Sequence, residues 1–514
     1  RFALRVEVFH LDIPIVVNGG NVLFPLERLV QLRLDIRRRV SGIRSGGKRD
    51  GFLRTAGINF DGVVLSVVQL VQVIQHGPIH YVFGGYKIPY GIEFSVDTIN
   101  AVIVIMVCTL GVLSCMFAFN FDKNGDALQV GGAYTMHALL VLGMVGMTMT
   151  GDVFNLYVFL EITSLTAYCL IAMGGSRGIV SAFRYLLVGT VAATFYLLAV
   201  GILYSVTGTL NMADMAVCLK QGNNDSAMLM AMMFLIASFG IKMALFPFHG
   251  WQPSAYTHAH TGARPLIAGA MGKIPAYAMF RYLYCIYGKD FKYFRYVLLI
   301  IGVISVCGMI YGSVRAMAQK DIRKVLAYSS VAQIGYISLG FAIGSPLALA
   351  GAFLHMLGHA FMKGGLFFAA GAISWKYGTF DLNDFGRIYK KMPFTAGLLT
   401  VGALSMIGIP PTVGFFSKWY LACGAAQTQE YVYIFVLVLS SLLNAVYFFK
   451  VIEKVFVQAD KTRKPLHPEG KGVLEVPLTI MIPVVTCILL ILLLGVFNVK
   501  VIDILLISLK GVAL

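Results

Sequence analysis

The sequence predicts an all-α polytopic membrane protein of about twelve to fourteen transmembrane helices, built as two inverted five-helix repeats that each contain a broken helix. Three observations predict it. Apolar runs long enough to cross a bilayer recur along most of the chain. Ionisable residues deep inside those runs are few. Two runs, five spans apart, are interrupted by proline and glycine. In order, each rests on simple physics.

The chain is 58% hydrophobic and only 13% charged, with a mean hydropathy of +0.78. Soluble domains are about 45–50% apolar and about 25% charged, so this chain has too little polar surface to cover a globule of its size. A helix crosses roughly 30 Å of hydrocarbon in about 20 residues. Spans are predicted near 100–120, 131–150, 152–174, 180–205, 227–246, 263–287, 296–315, 322–344, 347–374, 395–424, 431–457 and 476–498, with a weaker one at 60–75. The connections are short, so successive helices run antiparallel. Strands are not expected, because lipid tolerates only helices or closed barrels and these runs lack the period-two alternation of barrel strands. The formal charge of +17 lies mostly in the short loops, as cytoplasmic membrane loops require, and no nucleic-acid motif accompanies it.

Residues 1–58 stand apart. They carry Arg37-Arg38-Arg39 and a basic glycine-rich stretch from Ser45 to Asp50, have no run long enough to span, and lack the compact apolar core and cleavage site of a signal peptide. They read as an atypical basic leader, followed by N-terminal membrane helices over 59–130, a first repeat over 131–290, a second over 291–457, and a C-terminal loop and last helix over 458–514.

The breaks fall at Pro247, in Phe246-Pro247-Phe248-His249-Gly250, and at Pro410-Pro411, in Gly408-Ile409-Pro410-Pro411-Thr412. Proline removes a backbone donor and clashes with the turn before it. Interrupted spans in corresponding halves point to the binding site of an inverted-repeat transporter. Around the breaks lie five buried charges, Glu161, Lys242, Lys273, Lys363 and Lys418. At about 2.5–3.5 kcal/mol each on insertion scales they cost roughly 15 kcal/mol together, the size of a whole protein's net stability. Such a cost implies use. Glu161 and Lys242 suit an ion pair; at about 5 Å and an effective dielectric of 20 their attraction is about 3 kcal/mol, enough to govern how Lys242 holds its proton. His355, His359 and Lys363 are spaced i, i+4, i+8 on one helix face, about 6 Å apart along the axis, a spacing that water bridges and that suits a proton wire.

Structural readings stand beside these. A membrane histidine also serves as a plain interhelical hydrogen-bond donor. Lys273 also suits a structural partner of the broken helix, and Lys363 a side chain that snorkels to the headgroups. Arg184 reads as an interfacial anchor. His249 lies at possible access to the path, with a loop role equally open, as for His258 and His260. Neither His258 nor His260 has an acidic or cysteine neighbour in sequence, and none of the eight cysteines forms a CxxC pair, so no metal site, disulfide framework or cofactor is predicted.

Four segments carry a resemblance: Lys242 to Trp251 (KMALFPFHGW), Asp321 to Tyr336 (DIRKVLAYSSVAQIGY), His355 to Gly371 (HMLGHAFMKGGLFFAAG) and Gly408 to Lys418 (GIPPTVGFFSK). They resemble the family shared by Mrp-type Na+/H+ antiporter subunits and the antiporter-like proton-pumping subunits of respiratory complex I. The likeness runs from about Gly84 to the last span. It implies a fourteen-helix subunit with two inverted repeats, a Glu–Lys pair matching Glu161 and Lys242, a bridging lysine matching Lys273, a central histidine relay matching His355 and His359 with Lys363 beside it, and a terminal charge matching Lys418. That lysine and the GGYKIPYGIEF approach are more similar to the D-type antiporter subunits. Two features depart from the pattern: the family's first helix is not recognisable in residues 1–58, and its WLPDAH motif reads Trp251-Gln252-Pro253-Ser254-Ala255-Tyr256, without the acidic residue. The resemblance implies a multi-pass cell (inner) membrane protein whose partners are other membrane subunits, protons, monovalent cations and lipid. It leaves two functions open: antiport, in which the chain is a transporter subunit rather than a catalyst, and proton pumping within a NADH:quinone oxidoreductase or membrane-bound hydrogenase complex.

Overall fold

The computed structural model describes residues 3–8, 11–18, 21–22, 48–122, 126–221, 225–386, 388–457 and 473–510. Among them, eleven helices are long and apolar enough to cross a membrane, and two interrupted segments, 264–287 and 393–427, cross between them. In hydrocarbon every backbone polar group needs an internal partner, and the helix supplies it within one segment.

In chain order the helices are α1 (Lys48–His76), α2 (Thr98–Phe121), α3 (Ala127–Met149), α4 (Val153–Ala172), α5 (Ser176–Thr207), the short α6 (Met212–Gln221), α7 (Asp225–Met243) and α8 (Gln252–His258). There follow α9 (residues 264–287, with two π-helical stretches), α10 (Phe294–Met317), α11 (Ile322–Ile343), α12 (Pro346–Tyr377), α13 (Pro393–Ile407), α14 (Val413–Gln427), α15 (Tyr431–Phe456), α16 (Leu478–Val496) and α17 (Asn498–Lys510). α12 is the hub. Its most apolar window is wholly buried, and it packs against α2, α11, α13, α14, α16 and α17. Small residues permit this: a Cβ on Gly358 would meet Val413 at 2.7 Å, and one on Gly424 would meet Ala348 Cβ at 2.6 Å. Close backbone approach through small residues is the usual device for packing helices in lipid.

The predicted spans find helices, with four differences. The weak span at 60–75 is the centre of α1, which begins at Lys48; its polar first turns mask the helix in sequence, and a boundary at 58 falls inside it. Residues 263–287 are not one regular helix, since Ile267–Met271 and Arg281–Tyr287 are π-helical around Lys273–Phe280. α17 lies beyond the last predicted span. Strands also occur, contrary to expectation. One antiparallel sheet joins Ala3–Val8, Leu11–Asn18 and Asn21–Val22, and a hairpin pairs Ile79–Val82 with Glu93–Val96. The hairpin lies outside the spans, between α1 and α2, so the bilayer rule does not govern it. Its buried Glu93 accepts from Asn211 Nδ2 at 2.7 Å and meets His80 Nδ1 at 2.6 Å, tying the hairpin to the α5–α6 connection.

The antiparallel order puts the ends of α2, α4, α8, α10, α12 and α15 on one face. That face carries Arg177, Arg315, Lys320, Arg323, Lys324, Lys376, Lys390, Lys391, Lys450 and Lys454 and is termed the basic face below. The hairpin and α6 lie on the opposite face.

Candidate functional site

Both breaks are built by backbone that a helix cannot hold. After Met243, Ala244 adopts φ 60° and Pro247 follows; Trp251 Nε1 reaches back to Ile241 O at 2.8 Å and staples the two halves, while its ring stacks on Tyr185 at 3.7 Å. After Ile407, Gly408 takes φ 98°, the left-handed region open to glycine. The freed carbonyls of that half-helix are capped by a side chain: Lys418 Nζ donates to Met406 O at 3.1 Å and to Ile407 O at 2.8 Å. A cation at a helix C-terminus also suits the helix dipole.

Glu161 and Lys242 meet. Lys242 Nζ lies 3.5 Å from Glu161 Oε1 and donates to Ser164 Oγ at 2.7 Å. Lys242 is 2% exposed and Glu161 25%, so the carboxylate opens outward and the ammonium faces in. Lys273 begins the α-helical turn between two π-stretches, and its Nζ donates to Ala268 O at 2.6 Å. π-Bulges of this kind collect at functional sites. The segment that carries Lys273 packs on α7 and on α12, with Gly272 beside Met243 and Gly269 beside Ala360 and Gly364, which places it between the two halves of the site.

His355, His359 and Lys363 project from α12 as one file, each 0% exposed. The two imidazoles stack with centroids 6.0 Å apart. His355 is held at both nitrogens, Nδ1 by Ser417 Oγ at 2.9 Å and Nε2 by Gln333 Oε1 at 2.8 Å. His359 has no hydrogen-bond partner at either nitrogen among the described residues; buried polar atoms of this kind are normally satisfied by water. Lys363 Nζ is gripped by Leu326 O at 2.6 Å and by Ser329 Oγ. Snorkelling is therefore excluded for Lys363, whose head is enclosed. Lys418 lies over the Tyr336 ring at 4.9 Å, and Tyr336 lies 5.3 Å from the His355 ring. The file thus continues from His355 to the second break.

His249 sits in the turn after the first break, 8% exposed, against Tyr311 at 4.8 Å. Arg184 is exposed on α5. Ser254, where the acidic residue of the motif is absent, pairs with Ser181 at 2.7 Å. His260 does have an acidic partner, contrary to the sequence reading: its Nε2 lies 3.1 Å from Asp122 Oδ1, a distant neighbour along the chain that only the fold supplies.

Sequence reasoning missed the uncharged partners Ser164, Ser329, Gln333, Tyr336 and Ser417. A signal existed for several. Ser164 follows Glu161 by three residues, and Ser329, Gln333 and Tyr336 recur at i, i+4 and i+7 on one face of α11, the period of an inward-facing helix stripe.

A bundle with two broken helices and a file of buried lysines and histidines defines a class: polytopic membrane proteins that carry charge through their interior. Residues 150–444 match the family model of the NADH:quinone oxidoreductase/Mrp antiporter transmembrane region, and the chain belongs to that family. It is 42% identical to the N-type subunit of the NADH-quinone oxidoreductase of Desulforudis audaxviator, over 96% of this chain and 97% of the relative. It is 30% identical to the D-type subunit of the Na(+)/H(+) antiporter of Alkalihalophilus pseudofirmus, over 84% of this chain and 86% of the relative. Among solved structures, a chain of the membrane-bound sulfane sulfur reductase, an archaeal respiratory membrane complex, superposes with a TM-score of 0.86 at 26% identity, covering 94% of this chain and 96% of the other.

Proposed function

We propose that the chain is the proton-translocating membrane subunit of a multi-subunit assembly in the cell inner membrane, and that its path runs Glu161–Lys242–Lys273–His359–His355–Lys418, with Lys363 as a side branch toward the basic face. The observation that carries this reading is the file itself: a Glu–Lys pair at 3.5 Å followed by buried histidines and lysines, none of which has a carboxylate partner among the described residues. Lysines and histidines hold and release protons but offer no oxygen cage to a hard cation, so the cation of an antiport cycle binds partly on another subunit. α3, α4, α5, α7–α8 and α9 form one set of five spans and α10, α11, α12, α13–α14 and α15 a second; the broken helix is fourth in each, and the two sets start on opposite faces. That order supports two inverted repeats, each with its own break as a hydrated half-path.

Two driving forces fit this path. Monovalent cation/proton antiport is the first, supported by the likeness to the D-type antiporter subunits. Redox-driven pumping is the second, favoured by the 42% identity to an oxidoreductase subunit across nearly the whole chain. Proton flux in inverted vesicles carrying the whole complex separates them. Sodium-driven flux that is lost in Lys242→Ala establishes antiport. NADH-driven flux without a sodium response, again lost in Lys242→Ala, establishes the pump. Flux unchanged in Lys242→Ala under both conditions refutes the path.

A further inference from the structure

One buried imidazole takes no part in the path above. His137, on α3, is 3% exposed, and neither ring nitrogen has a hydrogen-bond partner among the described residues. It is not isolated among apolar neighbours. Tyr134, one turn nearer the basic face, is 2% exposed, and so is Asn59 on α1; Tyr134 Oη and Asn59 Nδ2 also have no such partner. Thr55, 0% exposed, bonds Tyr134 O at 3.5 Å. These unpartnered polar atoms in one three-helix layer, α1–α3, are more than a well-packed apolar layer tolerates, since each costs about 1–3 kcal/mol if left dry. Water satisfies such atoms when they line one space.

The outer end of this layer carries a titratable pair. Asp122, at the C-terminal cap of α2, is 8% exposed and meets His260 Nε2 at 3.1 Å, with the imidazole 20% exposed. The loop bearing His260 is locked onto α2, with Ser114 Oγ donating to Gly262 O at 2.8 Å. A Cβ on Gly262 would meet His260 Cε1 at 3.4 Å and Ala118 Cβ at 2.5 Å, and Ala118, one turn before Asp122, packs in one buried cluster with Cys115 and Tyr134, which joins the pair to the layer that holds His137. The titratable groups packed in this layer beside the pair are Cys115 from α2 and Tyr134 from α3; Arg264, at the start of α9, lies over the Phe380 ring. His137 lies about ten residues into its helix from the basic face and Lys273 about nine into its own, so both sit at a depth of roughly 15 Å. The two helices pack on each other.

We propose that Asp122, His260 and His137 form a proton inlet through the α1–α3 layer, which loads protons from the basic face to the depth of Lys273 by a route separate from Glu161. Lys/Arg enrichment marks that face as cytoplasmic. A proton arriving at Asp122 passes to His260, then over water to one nitrogen of His137, while the opposite nitrogen releases a proton inward; no other bond changes. The inference rests on proton translocation as proposed above.

The test uses inverted vesicles with the whole complex and whichever driving force moves protons in wild type. His137→Phe fills the site without polar atoms, and Asp122→Asn removes the surface acceptor. Each is expected to lower flux at least tenfold with normal assembly, and Asp122→Glu is expected to restore more than half. Wild-type flux in an assembled His137→Phe complex overturns the inlet. Should His137→Phe not assemble, the Asp122 pair decides: wild-type flux in Asp122→Asn, or equal loss in Asp122→Asn and Asp122→Glu, overturns it. Lys242→Ala serves as the control, because retained flux there removes the translocation reading itself, whereas lost flux there with retained flux in His137→Phe removes only the inlet.

Discussion

Glu161→Gln tests the central pair with the least structural damage. The substitution keeps the side-chain size and removes one charge 3.5 Å from Lys242 Nζ. At an effective dielectric of 20 the lost attraction is about 5 kcal/mol. Glu161 is a quarter exposed and water screens part of this, which leaves about 2 kcal/mol, or roughly thirtyfold in the balance between charged and neutral Lys242. Ser164 still accepts from Lys242 at 2.7 Å, so the ammonium keeps a partner and the bundle is expected to assemble. Proton flux in inverted vesicles, normalised to assembled complex, is expected to fall roughly ten- to thirtyfold. The pairing is refuted if Glu161→Gln runs at the wild-type rate while Lys242→Ala is inactive, because the lysine would then work without its carboxylate.

Three further perturbations reach other parts of the molecule. His359→Phe replaces an imidazole with no partner among the described residues by a ring of similar shape; thermal stability of the complex is expected to hold while flux falls at least tenfold, and retained flux takes His359 off the path. Gly408→Ala places a Cβ at φ 98°, 3.3 Å from Lys418 Cδ; backbone strain of about 1–2 kcal/mol displaces the lysine from its carbonyls, and a severalfold loss of flux is expected, with none if the cap is unimportant. Asp97→Ala removes the capping box of α2 and strands Arg281, whose Nη1 lies 2.6 Å from Asp97 Oδ2. A cap contributes about 1 kcal/mol and a half-buried partner more, so the melting temperature of the complex is expected to drop while flux per assembled complex stays unchanged; the opposite pattern would move this pair into the path.

The bundle and its two breaks are legible in the chain because the bilayer imposes one strong rule, a long apolar run closed on its own hydrogen bonds, and because proline violates that rule visibly. The charged members of the site are legible for the same reason: Lys242, Lys363 and Lys418 are costly inside lipid and stand out against Leu, Phe and Ala. The helical period by itself puts His355, His359 and Lys363 on one face. What one dimension cannot determine is anything that depends on which faces meet. The hydroxyl partners Ser164, Ser329 and Ser417 look like ordinary small polar residues until packing brings them to an ammonium or an imidazole. His260 has no acidic neighbour along the chain and acquires Asp122 only when its loop is pinned to α2. The π-stretches around Lys273 lie where the segment packs on α2, α7 and α12 and follow no local residue preference, and the hairpin at 79–96 is too short to register beside the spans. Local physics determined which segments suit the membrane and which charges are costly there; tertiary packing alone decided which of those charges touch, because contacts between distant helices are set by the shape of their faces and leave no periodic mark in one dimension.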